Sequence, residues 1–241
     1  MTTIDIHIEH KAFPAQGRMA SHTVLQDLHL RLEDNEFVCL VGPSGCGKTT
    51  LLNLIAGLDS EFKGRIDFHQ PRPPRLSYVF QEPRLLPWRT VRENLELALP
   101  SGKQREIIPQ LLEVAELTPF QHAYPQRLSL GMSRRVALVR AFAAEADLLL
   151  MDEPFVSLDP ATASKMRRLA LELWHQRPHT VLFVTHDLRE AIALADRVVF
   201  LTSPPTRAAR EFSIPLARSE RTEAAVAALY RTLGGEKSAT P

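Results

Sequence analysis

Nine consecutive residues, Gly42, Pro43, Ser44, Gly45, Cys46, Gly47, Lys48, Thr49 and Thr50, carry the densest chemistry in the chain. Two glycines enclose four residues and are followed by Lys and Thr, a phosphate-binding pattern. Gly42, Gly45 and Gly47 let the backbone turn its N–H groups inward around a polyphosphate. A helix N-terminus at this point adds about half a positive charge aimed at the same place. Lys48 can reach β- and γ-phosphates, and the Thr49 hydroxyl can coordinate Mg2+. A glycine-rich turn with a surface lysine is the plainer alternative, but the flanks favour the chemistry. Phe37 to Val41 reads as a buried strand, and Leu51 to Ala56 reads as a helix ended by Gly57. Cys46 fits better as a small side chain beside the loop than as a nucleophile.

A second group is acidic. Asp147 to Pro154 reads as a strand whose continuous apolar residues, Leu148 to Met151, suit burial on both faces and lead into two carboxylates, Asp152 and Glu153. Asp152 is placed to hold Mg2+ beside a phosphate loop. Glu153, one residue beyond the strand, suits the base for an attacking water. A strand-end acidic turn is the alternative. His179 to Val184 forms another strand, ending in Thr185-His186-Asp187. Parallel α/β sheets gather their sites at strand C-termini, which puts His186 at the same edge as Asp152. Ser129 reads as the N-cap of a helix running through Val136 to Phe142. Ser157-Leu158-Asp159-Pro160 reads as a turn with Pro at a helix start, and that helix extends to about Trp174.

These residues need a scaffold. Ile4, Ile6 and Ile8 alternate with polar residues, as do Leu28, Leu30 and Leu32, and Asp34-Asn35 turns. Lys63 to Phe68 alternates as well. This predicts an antiparallel β patch beside a parallel core. Phe13 reads as an exposed loop aromatic, able to stack on an adenine ring or to fill the core. A polar loop runs from there to about His22. Leu76 to Phe80 reads as a strand ending at Gln81. Pro83 and Pro87 keep the next segment from being a regular helix. Its Leu85, Leu86 and Trp88 either meet a partner or pack under the loop. Thr90 and Glu93 have the spacing of a capping box. Pro100-Ser101-Gly102 is a break, and Ile107 to Ala115 carries an amphipathic stripe. Asp187 to Leu194 reads as helix, Val198 to Leu201 and Ala208 to Ile214 as strands, and Ser219 to Leu233 as a terminal helix. The polar tail from Gly234 is expected to be disordered.

The 241 residues suit one large α/β domain or two small ones. A net charge of +1 gives no electrostatic case for nucleic acid. Two cysteines, Cys39 and Cys46, cannot build a disulfide framework and fit a reducing compartment. No apolar run reaches the roughly eighteen residues a spanning helix needs. The first residues show no secretory signal pattern.

Taken together, the phosphate loop, Gln81, Leu128 to Met132, Asp152-Glu153, Ser157 to Asp159 and His186 resemble the ATP-binding subunit of an ABC transporter. The resemblance covers nearly the whole chain. It implies an α/β phosphate-loop NTPase of the ABC type: a mixed sheet core, an antiparallel β patch and an inserted helical subdomain at about 90–145. It also implies ATP and Mg2+ as cofactors. Gly42 to Thr50 resembles the Walker A loop and Phe13 the adenine-stacking aromatic. Gln81 resembles the Q-loop glutamine, which touches Mg2+ and the attacking water and senses the permease. Asp152 and Glu153 resemble the Walker B aspartate and catalytic glutamate, Asp159 belongs to the D-loop pattern, and His186 resembles the switch histidine. Ser129 and Gly131 belong to a signature that faces the nucleotide of a second subunit, in a homodimer with ATP sandwiched between subunits.

The signature departs from the family's Leu-Ser-Gly-Gly-Gln, because Leu130 replaces its first glycine and Met132 its glutamine. If Leu130 is the first helical residue, no glycine is required there. What remains is a bulkier side chain near the partner subunit, so a working but weaker sandwich is expected. Gln81 to Thr90 resembles the nitrate, sulfonate and taurine importer subfamily, with the permease engaged through Gln81 to Trp88. An external solute-binding protein would be an indirect partner, and the subunit would sit peripherally on the cytoplasmic face of the inner membrane. The short C-terminus leaves no room for a regulatory domain. The competing readings are a soluble ABC-type ATPase of DNA repair or translation, and a nucleotide-gated module with weak hydrolysis.

Overall fold

Ile4, Ile6 and Ile8 are all buried, which puts one face of an eleven-residue strand, β1 (Thr3–Phe13), into the core. It pairs antiparallel with β2 (His22–Leu32) on one side and with a later strand on the other. β2 buries Leu28, Leu30 and Leu32 in the same alternation, and Asn35 turns the chain with φ of 57°. Next come β3 (Phe37–Val41) and α1 (Lys48–Ile55), the latter closed by Gly57 at φ of 68°. β4 (Lys63–His69) returns to pair with β1. The structure, a computed structural model, describes residues 3–15, 21–70, 72, 74–100 and 106–235.

The middle of the chain supplies β5 (Leu76–Val79), α2 (Val91–Glu96), α3 (Ile107–Val114), α4 (Leu130–Ala143), β6 (Leu148–Asp152) and α5 (Pro160–Gln176). The last third supplies β7 (Thr180–Thr185), α6 (Leu188–Leu194), β8 (Arg197–Leu201), β9 (Ala208–Ser213) and α7 (Glu223–Gly235). The chain divides into two compact units, Met1–Pro71 with Thr180–Pro241, and Arg72–His179.

The first unit holds the antiparallel sheet β2-β1-β4 and the strands β7-β3-β8-β9. β3 runs parallel to β7 and β8, and β9 closes the edge antiparallel to β8. β3 and β7 are buried at every position, the signature of strands covered on both faces. The second unit pairs β5 with β6 in parallel and packs α4 against α2, α3, α5 and β5. The capping box at Thr90 and Glu93 forms as its spacing predicts. Among the described residues, no helix is long and apolar enough to cross a membrane.

Three expectations change. Phe13 is the last residue of β1 rather than a loop residue, because β1 continues its pairing to Phe13–His22. The terminal helix begins at Glu223, after a separate turn at Arg218–Glu220. α7 also extends through Gly235, so the expected tail begins later, and residues 236–241 lie outside the described residues. Most of the expected polar loop before His22 (16–20) and most of the break near Pro100 (101–105) lie outside them too.

Candidate functional site

The phosphate loop leaves β3 at Val41 and enters α1 at Lys48. Gly47 caps that helix at φ of 94° and ψ of 16°, and Gly45 sits at φ of 77°; both are left-handed geometries that favour glycine. Gly47 has a second reason to be glycine. A Cβ there would lie 2.4 Å from Val24 Cγ1. Cys46 N–H donates to the Pro43 carbonyl, and the Thr206 hydroxyl donates to the Cys46 carbonyl. The loop is therefore tight and tied to the body of its own unit. Cys46 is fully buried, which suits a filler and not a nucleophile.

Lys48 is buried, with 5% of its surface exposed, and its ammonium donates to the carbonyls of Gly42 and Pro43 at 3.0 Å each. A buried ammonium on two carbonyls is a positive charge delivered to the loop by rigid partners. Pro43, Ser44, Gly45 and Thr49 are exposed, while Thr50 is half-buried.

His186 belongs to the same unit. β3 and β7 run parallel with Val41 opposite Thr185, so the phosphate loop and His186 leave adjacent strands at the same level. Sequence reading missed what fixes that turn. The Thr185 hydroxyl donates to Glu190 at 2.8 Å and accepts from Asp187 N–H at 3.0 Å, while Asp187 caps α6. Both Thr185 and Glu190 are buried. Beneath them the Cys39 thiol is pushed well up by burial and by the charges of Glu190 and Asp187, so it stays neutral. A Thr and a Glu five apart across a strand end carry no motif, and only the fold brings them together.

In the second unit, Val79 pairs with Met151. Gln81 and Glu153 each lie two residues past that pair, so parallel strands release both at one level. Asp152 is the last residue of β6 and is 5% exposed. Tyr78 hydrogen-bonds to it; burial first, then the Asp152 charge, pushes the phenol far up, which keeps it protonated as a donor. Tyr78 stacks on Phe80 at 4.0 Å, and Arg84 lies over the Phe80 ring at 3.8 Å. Glu153 has φ of 44°, a conformation that costs about 1–3 kcal/mol in a non-glycine residue and clusters at functional sites.

Ser129 caps α4, its hydroxyl accepting from Met132 N–H at 3.2 Å. Leu130 is the first residue of α4 and is 52% exposed, so its side chain takes no core space. Gly131 is different, since a Cβ there would come to 3.3 Å from Thr162 Cγ2 at the start of α5. Asp159 caps α5 by accepting from Thr162 N–H at 3.0 Å, which holds its carboxyl below the usual range. Arg134 of α4 donates to the Val156 carbonyl, joining that helix to the turn after Glu153.

The segment after Gln81 is only partly as expected. Trp88 is 68% exposed, but Leu85 and Leu86 are half-buried. The reason is Asn94, fully buried in α2. Its side chain accepts from Leu86 N–H and donates to the carbonyls of Leu86, Arg89 and Thr90.

A family model described as ABC transporter matches residues 25–156, more than half of the chain. The chain belongs to the ABC transporter family. An aliphatic sulfonates import ATP-binding protein, SsuB 2, of Pseudomonas syringae pv. tomato is 42% identical over 213 residues, covering 88% of each chain. The protein named SsuB in Bacillus subtilis is 39% identical over 220 residues, covering 89% of this chain and 86% of that one. Among solved structures, a dimeric post-hydrolysis state of the ATP-binding cassette MJ0796 bound to ADP and Pi matches with a TM-score of 0.75. It is 28% identical, covering 89% of this chain and all of that one. The family's phosphate-loop NTPase fold, with its mixed sheet and antiparallel patch, is the fold described above.

Proposed function

We propose that this chain is the ATP-hydrolysing subunit of an importer for aliphatic sulfonates or a closely similar small anion. The observation that carries the reading is the extent of likeness to the two sulfonate-import ATP-binding proteins, which spans most of both chains. The same likeness favours an importer subunit over an ABC-type ATPase of DNA repair or translation, as does the net charge of +1.

In this reading the adenine stacks on Phe13, and the polyphosphate lies in the loop from Gly42 to Thr50, with Lys48 neutralising it. Among the described residues no cluster of three His, Cys, Asp or Glu side chains is built for a metal. That fits Mg2+, which keeps waters and phosphate oxygens and asks only one or two protein ligands. Thr49, Asp152 and Gln81 are the residues that the family resemblance offers to hold it; when bound, it spreads the charge developing on the phosphoryl oxygens. Glu153 takes the proton of the attacking water, and His186 contacts the γ-phosphate. Ser129, Gly131 and Asp159 serve the nucleotide across a homodimer, their helix N-termini supplying partial positive charge.

ATP closes the pair and hydrolysis reopens it, which drives a membrane permease bound at Gln81 to Trp88. The chain then sits peripherally on the cytoplasmic face of the inner membrane, with an external solute-binding protein as indirect partner. Sedimentation of Glu153→Gln with Mg-ATP and with Mg-ADP tests the core of this reading. A dimer with ATP alone is expected, because the variant loses the base and keeps the phosphate site. A monomer with both nucleotides counts against the ATP sandwich. Sulfonate-dependent ATPase in the complete transporter tests the substrate class.

A further inference from the structure

Lys11 is the largest fully buried side chain outside the apolar core, with 1% of its surface exposed, and no phosphate-site pattern accounts for it. A buried ammonium must be paired and hydrogen-bonded to be tolerated. Lys11 meets both conditions through the loop that follows α1. Its Nζ lies 2.7 Å from an Asp59 carboxylate oxygen and donates to the Glu61 carbonyl at 2.8 Å. The lysine in turn holds the Asp59 carboxyl below the usual range, chiefly by its hydrogen bond to that carboxylate. The same ammonium lies 4.9 Å from the centre of the Phe13 ring.

Lys11 and Phe13 are two apart on β1, so an unbroken strand points both to one face. The ladder to β2 slips between Lys11, paired with Leu25, and Ala12, paired with Thr23. Val24 is the residue left over, and it packs where a Cβ on Gly47 would collide. The irregularity that sets Phe13 therefore rests on the phosphate loop, and the charge beside Phe13 rests on the exit of the phosphate-loop helix. Phe13 itself stays 45% exposed, which leaves ring surface for a ligand.

We infer that Lys11 is a positioning residue for purine binding: its ammonium, pinned by Asp59 and Glu61, fixes the Phe13 ring relative to the phosphate loop. This rests on Phe13 as the adenine-stacking residue. The ligand class is specific, because a group acting through Phe13 serves the base and not the phosphates.

Titration calorimetry on the full-length chain, with ATP and with inorganic tripolyphosphate, tests the inference. Lys11→Met keeps the unbranched stem, and the orphaned Asp59 retains solvent contact. It should raise the ATP dissociation constant about five- to tenfold, the scale of a lost cation–π and stacking geometry. Tripolyphosphate affinity should not change. Phe13→Ala should show the same pattern, and the double variant should be no worse than Phe13→Ala alone, because the two act as one unit. Equal weakening of both ligands, or additive losses in the double variant, makes Lys11 merely structural and overturns the inference. Normal ATP binding by Lys11→Met beside weak binding by Phe13→Ala also overturns it, and leaves the role of Phe13 standing. Normal ATP binding by Phe13→Ala removes that role and the inference with it. If Lys11→Met fails to fold, Asp59→Asn keeps the lysine, breaks the ion pair and must give the same selective loss of ATP.

Discussion

Between Gly42 and Thr50 the loop is shaped chiefly by its own backbone and Lys48, with Thr206 tying it to its unit; between Gln81 and Thr90 side chains from elsewhere supply the shape. The first loop turns on Gly45 and Gly47 at positive φ and closes on its own carbonyls through Lys48. The second has no glycine, and its one left-handed residue is Arg84 at φ of 44°. It is held from outside by Asn94 of α2, by Arg140 of α4, which donates to the Pro83 and Arg84 carbonyls, and by Gln126, which donates to the Pro87 carbonyl. A loop of the first kind presents one fixed surface. A loop of the second kind takes its shape from the helices that hold it.

The sharpest way to break this contrast is at Gly47. Gly47→Ala forces a Cβ to 2.4 Å from Val24 Cγ1 at a φ of 94°. It should cost about 3 kcal/mol or more, because strain and overpacking add. Gly45→Ala has nothing within 4 Å and bears only the backbone term, about 1–2 kcal/mol. Urea midpoints measure both. Equal losses would mean that the loop is held by backbone conformation alone and that its packing on Val24 contributes nothing.

In the second loop the largest effect belongs to Asn94. Asn94→Ala strips the Leu86 N–H of its side-chain acceptor and the Arg89 carbonyl of its side-chain donor, while the Leu86 and Thr90 carbonyls each lose one of two donors, each lost bond worth about 1 kcal/mol or more. A loss of about 2–3 kcal/mol is expected, with Trp88 emission shifted as the loop loosens. An unchanged Trp88 spectrum would show that the loop keeps its shape without its central clamp.

This contrast also explains what could be read before folding. The phosphate loop was legible because its determinants are local: glycines, Lys and Thr at fixed spacing between an apolar strand and an apolar helix. Ser129 as a cap, and the Thr90 and Glu93 capping box, were legible for the same reason. The half-burial of Leu85 and Leu86 was not, since it depends on Asn94, which looks like any polar helix residue. A lysine on an alternating strand reads as solvent-facing, and only the irregularity between Ile8 and His10 in the ladder to β4, together with the distant Asp59, makes Lys11 internal. Phe13, followed by a polar stretch, reads as a loop residue in the sequence, whereas the pairing with His22 carries the strand that far.

Arg140→Met comes next in size. It removes two hydrogen bonds to loop carbonyls and keeps much of the aliphatic stem. Burial already depresses the guanidinium's pKa, so part of its bonding gain is offset by lost hydration. The expected loss is about 1–2 kcal/mol, smaller than at Asn94 because the freed carbonyls lie nearer to water. A loss larger than that of Asn94→Ala would place the main support of the loop in α4, and so in the helix that begins at Ser129.

Gln126→Ala should do least. Its amide reaches the Pro87 carbonyl at 3.0 Å, but the bond is exposed and water can replace it. A change within about 0.5 kcal/mol is expected. Trp88, one residue further on, is the largest exposed apolar side chain of the segment. If Gln126→Ala proved as costly as Arg140→Met, the three clamps would act as one cooperative unit. The Asn94→Ala and Gln126→Ala double variant would then lose less than the sum of the two, whereas independent clamps give additive losses.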